Sequence, residues 1–155
     1  MQEKMREIME LMAKNEEKVS ELYMSYADKF VDNYNFWLML SEEETSHAAW
    51  IRNLNNPVLS ETLVFDEKRF APEGILLFSE YLVQKLKEVR ETDYTFQKAL
   101  NTALDIENAL IEKKWFDTIN SDSAEARINL DRLRDALIKH KNKITQTLAD
   151  LKGSV

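Results

Sequence analysis

The chain has 155 residues, a length that fits one domain over 1–155, and its formal net charge is −7. Cysteine is absent, which excludes disulfides, thiolate nucleophiles and cysteine-ligated metals. The acidic balance argues against nucleic-acid binding. No apolar run is long enough to cross a membrane and the first residues lack a signal-peptide pattern, so we expect a soluble cytoplasmic protein without membrane partners.

Only two glycines and two prolines occur, which favours an all-α fold. The spacing of the apolar residues predicts helices over five segments, which are 3–31, 34–55, 72–91, 93–119 and 124–151. Asp32 to Asn35 breaks the first helix and is the predicted cap of the second, and residues 57–71 are predicted to be irregular. Thr92-Asp93 and the turn at 120–123 are the predicted caps of the last two helices.

The apolar stripes of the four long helices repeat at nearly seven residues, which predicts packing at shallow angles. Short turns should make the first two long helices one antiparallel hairpin and the last two another. The connection over 57–92 is long enough to run the length of the molecule, so the second and third long helices can lie parallel. We therefore expect a four-helix bundle with a long, partly helical crossover between its second and third helices.

The segment Glu44-Thr45-Ser46-His47 interrupts the apolar stripe of the second helix. Leu40 precedes this segment and Ile51 follows it at helical spacing, so Glu44 and His47 occupy positions where leucine or isoleucine would ordinarily lie. Burying a carboxylate is unfavourable unless the group is paired or bound to a metal. The pattern predicts that something in the interior satisfies both side chains.

Each of the other long helices carries one such interruption, at Glu16, Glu107 and His140. The phase of the first stripe selects Glu16 rather than Glu17 as the inward residue. Counted from the turns, all the interruptions fall within roughly two helical turns of one level, at about 1.5 Å per residue. The hairpins are also weak repeats, since Glu16 precedes His47 by 31 positions and Glu107 precedes His140 by 33.

This pattern resembles the ferritin-like superfamily over all four long helices, and within it the rubrerythrin-like di-iron carboxylate proteins. That family takes a single glutamate from each of two helices and a Glu-x-x-His from each of the other two. The residues that match are Glu16, Glu107, Glu44, His47 and His140. The glutamate of the second pair would be residue 137, which is leucine here.

The resemblance implies that these five residues bind iron, as one or two ions, with manganese or zinc as alternatives. Leu137 removes a bridging carboxylate, so a single ion or an asymmetric pair is the natural occupant unless water, phosphate or an external carboxylate fills the gap. The implied function is oxidase-like or peroxidase-like oxidoreduction, or iron handling, with oxygen or peroxide as oxidant. The rubredoxin module of full rubrerythrins is absent, so turnover would need an external electron donor. The resemblance also leaves a homodimer open, and it assigns no catalytic residue.

Other interpretations stay open. The run Glu42-Glu43-Glu44 can face solvent with His47 hydrogen-bonded in the core, and His140 beside Leu137 fits a core histidine as well as a ligand. Leu137 also motivates a second hypothesis, a degenerate ferritin-like bundle without metal that acts as an interaction or regulatory protein. A carrier of haem or another hydrophobic ligand is a third, against which the carboxylate-rich centre argues.

Overall fold

The computed structural model describes residues 2–66, 68–69, 72–112 and 115–153, with side chains undescribed at 2, 110–112, 115, 152 and 153. The fold is predominantly helical, as the composition predicts. The helices are α1 (Gln2–Lys29), α2 (Tyr34–Leu54), α3 (Pro57–Ser60), α4 (Pro72–Glu88), α5 (Phe96–Glu112) and α6 (Ala124–Gly153). Single 3₁₀ turns lie at Val31–Asn33 and Trp115–Thr118. In the part of the chain that is described, no helix combines the length and apolar character needed to cross a membrane.

Two helical hairpins form the interior of the fold. α1 packs along α2 and also against α4, whereas α5 packs along α6. The two hairpins meet where α6 contacts α2. The sequence spacing predicts inward apolar positions along the first helix, and five of them are buried: Met9, Met12, Val19, Tyr23 and Tyr26. Met5 and Phe30, which the same spacing places inward near the two ends, are only partly buried. The segment between α2 and α5 contains α4, so the predicted connection is partly helical.

The predicted helix over 93–119 is wrong at both ends. α5 begins at Phe96, because Thr95 rather than Thr92-Asp93 is its cap: the Lys98 amide donates to Thr95 Oγ1 at 3.1 Å. α5 ends at Glu112, and positions 113 and 114 of that prediction lie outside the described residues. Residues 119–121 instead form a strand.

That strand, β2 (Ile119–Ser121), pairs antiparallel with β1 (Leu63–Phe65), so that Leu63 lies opposite Ser121 and Phe65 opposite Ile119. The segment over 57–71 is therefore not wholly irregular, since it holds both α3 and β1. Asn56 caps α3, its Oδ1 accepting from the amides of the second and third residues after it at 2.9 Å. Backbone pairing with a distant segment explains why local periodicity missed the strands.

The two long-helix turns differ in how they are capped. A break between the first two helices is confirmed, but it lies at 30–33 rather than 32–35, because α1 ends at Lys29 and α2 begins at Tyr34. Asn33, at the N-cap of α2, makes no side-chain capping hydrogen bond. The predicted cap at the start of α6 is confirmed at Ser123, because the Ala126 amide donates to Ser123 Oγ at 3.4 Å.

An aromatic cluster joins α1, α2 and the turn before α5. Tyr26 lies edge-on to Trp37, with ring centroids 4.8 Å apart, and stacks on Tyr94 at 5.7 Å. The hydroxyls of Tyr26 and Tyr94 are 2.9 Å apart, and the Tyr94 hydroxyl lies 3.3 Å from Thr102 Oγ1. Because these groups are buried, the hydroxyls satisfy one another and hold the two hairpins together at this end.

Replacing Tyr94 by phenylalanine should lower the free energy of unfolding by about 1–3 kcal/mol, because the buried Tyr26 hydroxyl loses its partner. Urea denaturation of wild type and variant measures the change. Tyr34→Phe is the matched control, since it removes the same hydroxyl from a side chain that is 37% exposed. Equal stabilities for the two variants would contradict this role for the hydroxyl pair.

Candidate metal centre

The structure brings all five predicted site residues together in the interior. They come from four helices, and each is at most 3% exposed: Glu16 (α1), Glu44 and His47 (α2), Glu107 (α5) and His140 (α6). Their convergence follows from the hairpins, because residues at similar distances from a turn lie at one level. The interruptions of four separate stripes therefore form one buried polar cluster.

Glu44 lies at the centre of this cluster. Its Oε2 is 2.9 Å from His47 Nδ1 and its Oε1 is 2.8 Å from His140 Nδ1. Each imidazole also faces a second carboxylate, since His47 Nδ1 lies 3.5 Å from Glu16 Oε2 and His140 Nδ1 lies 3.4 Å from Glu107 Oε1. The two ring centroids are 4.9 Å apart. Glu44 thus joins two half-sites, each with one further glutamate and one histidine.

Helical phase separates the two adjacent glutamates of α1, as the sequence predicts. Glu16 is buried within the cluster, whereas Glu17 is 47% exposed and pairs with Arg52 on α2. Arg52 also pairs with Glu10 at 3.0 Å, so this outer network links α1 to α2. The choice of Glu16 over Glu17 as the inward residue is confirmed.

Glu43 is the residue that sequence analysis missed. Its Oε2 contacts His140 Nε2, and its Oε1 accepts a hydrogen bond from Lys143 Nζ at 2.8 Å. The interpretation in which the run 42–44 faces solvent is therefore wrong for Glu44, which is buried, whereas Glu43 is 34% exposed and also contacts His140. A buried histidine needs a partner for each ring nitrogen, and this need was the signal in the sequence that a further polar residue lies beside His140. The sequence does not show which helix supplies that partner.

Leu137 packs in the apolar core and is 5% exposed. It stands where the resemblance would place a glutamate, so this position adds no polar group to the interior. Glu43 brings a carboxylate to His140 from a different helix and from the outer side of the ring. A carboxylate there orients the imidazole and raises its basicity when the other nitrogen binds a metal. Glu43 is thus placed as a positioning residue for His140.

Two carboxylate oxygens of the cluster lack hydrogen-bond partners within the described part of the chain: Glu16 Oε2 and Glu107 Oε2. The other Glu107 oxygen accepts from the Tyr23 hydroxyl at 3.0 Å. Burial, together with the nearby Glu107 charge, holds the pKa of Tyr23 well above its usual value, so the phenol stays a donor. Unsatisfied buried carboxylate oxygens are unfavourable unless a cation or proton meets them.

Protons stabilise the cluster when no metal is bound. Burial and the Glu44 charge raise the pKa of Glu16 to about 8. Burial and Glu107 act to raise the pKa of Glu44, but hydrogen bonds from its neighbours outweigh them and lower it. Burial alone would lower the pKa of both imidazoles, yet the facing carboxylates raise it to about 10 for His47 and about 11 for His140.

The donor set fits a metal ion. Glu44, His47 and His140 each offer one ligand atom, and these atoms lie within 4.8 Å of one another. The unsatisfied oxygens of Glu16 and Glu107 lie on the carboxylates that face the same imidazoles. Mixed carboxylate and imidazole donors suit iron, manganese and zinc. A bound ion would replace the protons of the imidazoles, because a metal-bound nitrogen must be unprotonated.

Comparison with known proteins gives no match: no protein-family model fits the chain, and no curated protein or solved structure is significantly similar to it. Its chemistry must therefore be inferred from the buried cluster itself. The ferritin-like and rubrerythrin-like resemblance accordingly remains a proposal.

The metal-free protein should lose stability as pH rises from 6.5 towards 10. The raised pKa values of His47 and His140 mean that the folded state keeps protons that the unfolded chain releases, so their contribution is complete below pH 6.5 and is lost towards pH 10 to 11. The pKa of Glu16 is also raised, to about 8, so the folded state keeps this proton too and its stabilising contribution is lost as the pH rises to that value. Urea denaturation across this range measures the slope.

His140→Gln is the comparison variant, because it removes one of the two imidazoles and keeps a polar side chain of similar reach. Its free energy of unfolding should fall less steeply with pH than that of wild type. An identical slope would contradict the assignment of the pH dependence to this cluster.

Proposed function

We propose that this chain is a metal-binding protein of the ferritin-like superfamily, similar to the rubrerythrins, whose interior cluster binds iron. Manganese and zinc are the alternatives, since the same donors suit them. The observation that carries the proposal is the convergence of three glutamates and two histidines from four helices, with two carboxylate oxygens that lack partners among the described residues. A cation would satisfy Glu107 Oε2 and would add a partner for Glu16 Oε2, which lies 3.5 Å from His47 Nδ1.

Glu44, His47 and His140 would hold the ion, and the carboxylates of Glu16 and Glu107 would complete its surroundings. Because residue 137 is leucine, the cluster has three carboxylates instead of four. Two iron ions would be under-neutralised by this set, so one ion or an asymmetric pair is the expected occupancy. We propose the four-helix bundle, with α4 in the crossover, as the scaffold that fixes these positions.

Bound iron would supply one-electron chemistry with oxygen or peroxide. The chain itself buries the cluster, keeps Glu107 in place through the Tyr23 hydroxyl, and orients His140 through Glu43. These 155 residues contain no cysteine and therefore provide no rubredoxin-type iron site, so the electrons for turnover would come from a donor outside them. Oxidase-like or peroxidase-like activity and iron handling are the two forms of this function that the cluster supports.

A second candidate function rests on the pairing that the cluster achieves without metal. Glu44 pairs with both imidazoles, and Glu43 pairs with His140 and Lys143, so most of the polar groups have protein partners. Leu137 fits this hypothesis, because it removes a ligand position. Such a chain would keep the fold and act as an interaction or regulatory protein.

Metal content distinguishes the two functions. The protein is reconstituted anaerobically with ferrous iron, desalted and measured by elemental mass spectrometry, and we expect one to two irons per chain. Glu44→Gln and His47→Gln should each abolish retention, whereas Glu42→Gln, which removes an exposed charge beside the cluster, should not. Wild-type protein that retains no iron, manganese or zinc, and melts at the same temperature with and without chelator, would favour the metal-free function.

Glu43→Gln should weaken metal binding about 10- to 100-fold, because the carboxylate that orients His140 is lost while the ligands remain. Competition with a chromophoric chelator measures the affinity, and circular dichroism checks that the helices persist. Glu42→Gln again serves as the matched control. If both variants bind metal as tightly as wild type, Glu43 has no positioning role.

A further inference from the structure

A pocket of about 420 Å³ lies between α2 and α6, on the outer side of the two imidazoles. His47, His140 and Glu43 line its inner part, and Trp50 is a wall on the α2 side. Its lining also includes Arg132, Lys139 and Lys143, which follow one another on α6 at steps of seven and four and so share one face of the helix. The pocket therefore joins the buried cluster to a cationic surface.

Two of these three cations have no ion pair in the described part of the chain. Lys143 pairs with Glu43 at 2.8 Å. Among the residues that the structure describes, neither Arg132 nor Lys139 has an ion-pair partner, although Asp135 lies between them on the same helix. Both side chains are exposed at the pocket. This local excess of positive charge occurs in a chain whose formal net charge is −7.

The outer part of the pocket, away from the two imidazoles, is unsuited to a cation, because three positive side chains line it and one of its two acids is already paired. An anion suits it, since charged donors hold carboxylate and phosphate oxygens in hydrogen bonds stronger than those between neutral groups. The volume exceeds the needs of a simple ion and falls within the range of small-molecule sites. Trp50 and Ala136 offer an apolar surface for the rest of such a ligand.

We propose that this pocket binds a small molecule through an oxyanion group, a phosphate or carboxylate, held between Arg132 and Lys139. The group lies beside the buried cluster and outside the imidazoles. This binding does not depend on the metal. One extension rests on the proposed function. An anion here adds part of the negative charge that a glutamate in place of Leu137 would have supplied, so anion and metal strengthen each other's binding.

The first experiment titrates the metal-free protein with inorganic phosphate at constant ionic strength and follows backbone amide shifts by NMR. We expect saturable shifts confined to α2 and α6 around the pocket. Arg132→Gln combined with Lys139→Gln should weaken binding about tenfold or more, because two charge-assisted hydrogen bonds are lost. The control combines Lys87→Gln with Arg90→Gln, which changes the charge equally at two exposed positions away from the pocket, and should bind as wild type.

Shifts that do not saturate, or equal weakening in both double variants, would overturn the proposal in favour of general charge screening. A parallel titration with acetate identifies the group: tighter binding of phosphate assigns a phosphate ligand, and tighter binding of acetate a carboxylate. Metal retention is measured separately on the same variants. Phosphate binding without any metal retention would leave the pocket in place and reject the proposed function, and the reverse result would reject only the pocket.

Discussion

The buried carboxylate of Glu44 is the constraint on which the rest of this structure depends. It is fully buried, and it faces two imidazoles that reach it from α2 and α6. An isolated carboxylate in this position would be strongly unfavourable, so α6 must lie against α2 at the level where His140 meets Glu44. The contact between the two hairpins is thereby fixed in register as well as in place, because a shift of one helical turn would separate Glu44 Oε1 from His140 Nδ1, although Glu44 Oε2 would keep His47 on its own helix.

The carboxylates and imidazoles of the cluster can balance one another's charges when no metal is bound. Without metal, protons on Glu16 and on both imidazoles balance the carboxylates, and the raised pKa values of these groups follow from burial and from the charges they face. Glu107 Oε2 has no hydrogen-bond partner among the described residues, and Glu16 Oε2 has only a long contact with His47 Nδ1 at 3.5 Å, so these two oxygens are the least satisfied part of the cluster. Departures from full satisfaction of buried polar groups are expected at functional sites, where stability is given up for binding.

The two halves of the cluster are not equivalent, despite their similar spacing in the sequence. His47 has its own Glu-x-x-His partner, whereas His140 has Leu137 at that position and receives Glu43 from α2 on its outer side. Glu43 is half-buried and pairs with Lys143 at the edge of the cationic pocket. Both imidazoles line the pocket, and the half without a glutamate at position 137 is the one that Glu43 contacts from outside.

Local periodicity by itself determined most of the helical content and the inward side of each long helix. It selected Glu16 over Glu17, and it placed Glu44, His47, Glu107 and His140 in the interior, because a side chain's phase on a helix depends only on its neighbours in the chain. It failed where partners are distant: the strands at 63–65 and 119–121 exist because they pair with each other. Glu43 belongs to the site because α6 brings His140 to it across 97 positions of sequence. Such contacts are decided by tertiary packing, since no local pattern records which helices become neighbours.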